Sequence, residues 1–178
     1  MNMTHYMELL AINQPWNLII FMAIPIVLAE TLAITEFYLL FTRKFEGLVF
    51  QVNKFSGAAV GLYFLGIIYY IMTNAVIPIT KAGEWRTAID VIAVGSYLIA
   101  GLPLVWIAFQ ELGIVNRSME RNEKLKVHAI CVSFFLIFGH VAMISGMLDP
   151  RILGYEFPAS TDMNHDMTQH VEHMHQTK

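Results

Sequence analysis

Four stretches of this chain stay apolar over about 20 residues or more, the length at which an α-helix rising 1.5 Å per residue crosses a bilayer core of about 30 Å. They fall near residues 16–41, 57–77, 88–109 and 127–148. Backbone groups in hydrocarbon must pair within their own segment, and none of the four alternates polar with apolar residues as barrel strands do. The expected fold is therefore all-α, an integral membrane bundle of four transmembrane helices. Composition agrees, because charged residues make up 14% of the chain against about 25% in ordinary soluble domains. Eleven Lys and Arg against fourteen Asp and Glu leave a formal charge of −3. That balance offers nothing to a phosphate backbone and argues against a nucleic-acid partner, leaving the lipid bilayer as the expected medium. The single cysteine, Cys131, excludes an internal disulfide and any Cys-cluster metal site within one chain.

The first stretch is read as a retained span rather than a cleaved signal peptide, since no Lys or Arg precedes it and no small-residue cleavage site ends it. Seven of the eleven basic residues lie around the first and third loops: Arg43, Lys44, Lys54, Arg117, Arg121, Lys124 and Lys126. The other side holds Lys81, Arg86, Arg151 and Lys178, so the positive-inside rule puts loops one and three in the cytoplasm and both termini outside. Trp16 and Trp85 then mark the outer boundary and Trp106 the inner one. Residues 1–150 read as the transmembrane domain and 151–178 as a flexible His/Met-rich tail.

Packing and irregularity are also written in the chain. Gly57-Ala58-Ala59-Val60-Gly61 and Gly66 in the second helix, Gly95 and Gly101 in the third, and Ala142 and Gly146 in the fourth let helix backbones approach closely. Pro25 and Pro103 are expected to kink the first and third helices.

Ionisable groups inside a span are expensive and so are the first candidates for function. Glu30 sits near the middle of helix one, and Glu36 six residues on, about 240° around the axis, so the two do not share a face. Glu30 is preferred as the inward group, with Glu36 expected to snorkel towards the interface near Arg43. On helix four His140, Met143 and Met147 recur at i, i+3 and i+7, giving one face with an imidazole and two thioethers. These donors suit Cu(I). Counting down from the outer helix ends puts Glu30 about 21 Å and His140 about 12 Å deep; tilt and the Pro25 kink narrow that difference, and both are expected to face the bundle centre. The chain ends add His5, and in the tail Met163, His165, Met167, His170, His173, Met174 and His175, all on the predicted outer side. The ordinary alternatives are Met as core filler, a hydrogen-bonded carboxyl and histidine, and a tail with no ligand role.

Haem needs axial His pairs from two helices, whereas His128 and His140 share one, and His128 is expected to be interfacial. A quinone needs only one or two polar groups in an apolar cleft, for which Glu30, His140 or Asp90 would serve. Asp90 itself reads first as a helix N-terminal residue.

The run Asn13-Gln14-Pro15-Trp16-Asn17, residues 25–36, and the segment Gly139-His140-Val141-Ala142-Met143 through Asp149-Pro150 resemble a family of small four-helix bacterial inner-membrane proteins, usually labelled uncharacterised or permease-like. The resemblance covers about residues 1–150, implies a bacterial multi-pass inner-membrane protein with periplasmic termini, and carries over no catalytic residue. The expected function is transition-metal handling, copper foremost, as a carrier or an accessory to a metalloenzyme. Its alternatives are a redox subunit binding quinone or haem, and a structural partner in a homo-oligomer or larger membrane complex.

Overall fold

The computed structural model describes residues 7–8 and 11–154. Among them every regular element is helical, and four helices are long and apolar enough to cross a membrane: α1 Trp16–Thr42, α2 Leu48–Ala82, α3 Ala88–Glu111 and α4 Arg121–Met147. The chain is thus a multi-pass membrane protein by the length and composition of its helices.

Three of the eight helix bounds differ by more than two residues from the sequence expectation. α2 begins nine residues before and ends five residues after 57–77, and α4 begins at Arg121 rather than near 127. In each case polar residues such as Asn53, Lys54 and Lys124 continue the helix beyond the apolar run. Hydrophobicity marks the part of a helix that lies in lipid, whereas the hydrogen-bond ladder stops only where the backbone is forced to turn. That happens at Arg43 (φ 51°), Gly47 (φ 92°) and Gly83 (φ 69°), which adopt left-handed or glycine-only conformations. At the start of α3, Asp90 is fully buried and accepts the backbone N–H of Arg86 at 3.2 Å, so it has the structural cap role.

α3 is the central helix, packing most extensively on α4 and α2, while α1 lies against α2 and α4. Phe64 of α2 is fully buried at the middle, 5.5 Å from the Tyr97 ring and edge-on to Phe135 at 5.3 Å. Close approach makes this possible. A Cβ on Gly61 would collide with the Leu104 carbonyl oxygen, and one on Gly101 with the Phe64 ring, whereas Gly66 and Gly95 have open space around them. Outside, Ile34, Phe37, Phe41, Phe55, Tyr69, Leu102, Ile130 and Ile137 stand exposed around the bundle. Large apolar side chains covering the whole circumference are what hydrocarbon, not water, stabilises.

The prolines act differently from one another. Pro25 has no N–H for the Phe21 carbonyl, and the turn ahead of it, Ile19–Ala23, opens into a π-helix. The Tyr97 hydroxyl donates to that Phe21 carbonyl, and the Tyr63 hydroxyl to the Ile20 carbonyl at 2.9 Å. Pro78 stands in the same relation to the π-helix Met72–Val76. α3, by contrast, runs unbroken across Pro103.

Candidate functional site

A cleft of about 210 Å³ lies between α1 and α4, with aromatic walls from Phe21, Tyr97 and Phe135. Five other side chains on its lining carry chemistry: Met7, Met22, Glu30, His140 and Met143. Four of the five are placed by local devices. Met22 rides on the π-helix ahead of Pro25, whose freed carbonyl is held by Tyr97, so the wide turn is anchored to α3. Met7 belongs to the segment before α1, and the neighbouring Glu8 pairs with Arg86 in the loop before α3, which ties this segment to the same end of the bundle. His140 and Met143 are one turn apart on α4. The His140 Nδ1–H donates to the Leu136 carbonyl at 2.6 Å, which fixes the tautomer and leaves the lone pair on Nε2.

Three thioethers, one imidazole and one carboxyl group share the lining, a predominantly soft set of potential donors. It matches a soft univalent cation better than a hard divalent one. Among the described residues no three His, Cys, Asp or Glu side chains converge as a metal site.

Glu30, His140 and Met143 are therefore brought together, despite the difference in depth counted along the helices. They do not face a sealed bundle centre, since Glu30 and His140 are both exposed and the cleft opens on the flank of the bundle. Met147, the last residue of α4, stands 68% exposed and is not part of the lining. Met7, from the N-terminal His/Met run, and Met22, which sequence reading passed over, also line the cleft; Met22, three residues before Pro25, carried the signal of an irregular turn. His5, Met163, His165, Met167, His170, His173, Met174 and His175 lie outside the described residues.

A second polar group lies inside the bundle rather than at its interface. Glu36 does not snorkel, and His128 is not interfacial; they are 1% and 2% exposed. His128 Nδ1 lies 3.2 Å from Glu36 Oε1, and its Nε2 3.5 Å from Oε1 of Glu111, the last residue of α3. The alignment is too poor for either contact to be a hydrogen bond as the side chains stand, and Glu36 Oε2 has none. Asn53 of α2 donates to Thr35 Oγ1 beside Glu36 at 3.0 Å, and Gln110 is buried next to Glu111. Glu36 lies in the interior because α2 and α4 extend past their apolar runs and cover it. The legible signal was one polar residue from each helix, Glu36, Asn53, Glu111 and His128, at a similar distance from the basic end.

The whole bundle matches the Family of unknown function (DUF6803) over residues 1–162. The chain belongs to that family. The match stops just short of Met163, where the densest His/Met run of the tail begins. No curated protein and no solved structure matches the chain.

Proposed function

We propose that this DUF6803 member handles a soft transition metal, copper(I) foremost, in a bacterial inner membrane, as a carrier or as an accessory that loads a metalloenzyme. The observation that carries the reading is that Met7, Met22, Met143, His140 and Glu30 line one cleft, with His140 Nδ1 engaged by the Leu136 carbonyl and Nε2 left for a ligand. Three separate segments supply the sulfurs, so helical periodicity alone does not account for their meeting. Thioether and imidazole donors hold Cu(I) where thiolates would oxidise, as on the periplasmic side on which the charge count puts the termini. The tail's His and Met residues would then capture the ion and the cleft receive it, Glu30 compensating its charge.

The test is metal analysis with chelator competition on the full chain in detergent, under a reductant. About one tightly held Cu(I) per chain is expected, and it should persist when residues 162–178 are deleted. Copper that disappears with the tail and is untouched by His140→Ala with Met143→Leu would overturn the cleft as the receiving site.

The aromatic walls and the opening on the bundle flank favour a second reading, a quinone headgroup between Tyr97 and Phe135 with Glu30 and His140 as polar contacts. Competition between a short-chain quinone and Cu(I) separates the two. Haem is less well served, because His128 is held between two carboxylates and, among the described residues, only His140 lines the cleft.

A further inference from the structure

The buried group Glu36–His128–Glu111 lies away from the cleft, and none of it serves the metal reading. Glu36 is six residues before the end of α1 and His128 seven after the start of α4, so the group lies about 10 Å inside the basic end of the bundle. Glu111 closes α3 and, at 15% side-chain exposure, is the member that reaches towards that end. Room for it comes from Gly57, where a Cβ would stand 3.4 Å from Glu111 Cγ and 3.1 Å from Ile107 Cγ2.

Two carboxylates with one imidazole between them hold more negative charge than a membrane interior tolerates, and bound protons are the cheapest remedy. The groups facing Glu36 are His128 and Cys131 from α4, Glu111 from α3, and the neutral Asn53 from α2 through Thr35. Among the described residues no Lys or Arg forms an ion pair with Glu36 or Glu111, so no fixed cation replaces those protons. Glu36 Oε2 is buried without a hydrogen-bond partner, an acceptor position that a proton would fill.

We propose that Glu36, His128 and Glu111 form a proton-exchange site, loaded from the basic end of the bundle through Glu111. A proton from water binds the Glu111 carboxylate and passes to His128 Nε2, while the Nδ1 proton passes to Glu36. Only O–H and N–H bonds are exchanged, no electron moves, and the same path in reverse empties the site. The tautomer of His128 alternates with loading, which accounts for a carboxylate oxygen within 3.5 Å of each ring nitrogen, close enough for a small rotation to align the transfer. This assignment stands whether or not the cleft binds copper.

Infrared difference spectroscopy of the full chain in lipid nanodiscs tests it, reading the carbonyl stretch of protonated carboxyls between about pH 5 and pH 9, with exchange into D₂O. A band that grows on acidification and shifts in D₂O is expected in the wild-type protein. It should vanish in Glu36→Gln and move but persist in Glu36→Asp. In Glu111→Gln the Glu36 band should remain, with its hydrogen–deuterium exchange slowed tenfold or more. A wild-type spectrum without a titrating carboxyl band overturns the proposal without recourse to any variant. So does a band that is untouched in both Glu36 variants, or wild-type exchange rates in Glu111→Gln.

Discussion

Single atoms decide two regions of this bundle. At Gly61 the α2 and α3 backbones are so close that any Cβ meets the Leu104 carbonyl, whereas at Gly66 and Gly139 it meets nothing within 4 Å. Gly61→Ala should therefore cost about 1–3 kcal/mol through overpacking. Gly66→Ala should be neutral or stabilising by up to about 1 kcal/mol, because it removes only a helix-interior glycine. Thermal unfolding of both variants in one detergent checks the contrast. At His140 the decisive atom is Nε2, kept open because Nδ1 donates to Leu136. His140→Ala should lower copper(I) affinity tenfold or more with no change in thermal midpoint, since the side chain is exposed and packs into no core. Beyond α4, hydrogen bonds from the Arg151 side chain and backbone hold the Asp149 carboxyl below its ordinary range. A depressed folded value means the contact is present at neutral pH and is lost as pH falls through that value. Acidification should loosen the turn Pro150–Leu153 first, which NMR shifts of Arg151 would report.

At the scale of elements, the instructive comparison is between prolines in helices of similar hydropathy. Pro25 and Pro78 each follow a π-helix, whereas Pro103 sits in a continuous α-helix. The difference at Pro25 lies in its neighbours: tyrosine hydroxyls from α2 and α3 take the freed carbonyls, so the wide turn costs little and holds Met22 on the cleft. Tyr97→Phe removes one of these donors while keeping the ring beside Phe64. It should destabilise the bundle by about 1 kcal/mol and weaken copper(I) binding more than that loss alone implies, measured as chelator competition against the thermal midpoint. Equal small losses in both would mean that the turn does not position the methionine.

For the whole molecule, topology and the two polar sites are linked. Reporter fusions after residues 54 and 126 should read as cytoplasmic and one after residue 178 as external, in keeping with the distribution of basic residues. A cytoplasmic C-terminus would invert the bundle, place the cleft at the inner side and remove the capture role proposed for the tail. Deleting residues 162–178 should leave the thermal midpoint almost unchanged, because few side chains in that sequence are apolar enough to pack.

Length and hydrophobicity alone determined that the chain forms four membrane helices, because a bilayer leaves a 20-residue apolar segment no other way to satisfy its backbone. The periodicity of α4 likewise put His140 and Met143 on one face, which any α-helix must do. Helix ends were less legible, since polar residues such as Asn53 and Lys124 continue a helix past the apolar run until a residue such as Gly83 turns it. Tertiary structure decided which polar residues are inside. Glu36 and His128 were read as interfacial from their distance to Arg43 and Lys126, yet the extended α2 and α4 enclose them, and a neighbour's length is not encoded in a residue's own helix. Glu30 was read as central and instead opens on a flank cleft, where Met7 and Met22 join it from segments that no periodicity connects. Distance along one helix is fixed by 1.5 Å per residue, but which side chains meet across helices depends on tilt, π-turns and glycine contacts that only the packed bundle specifies.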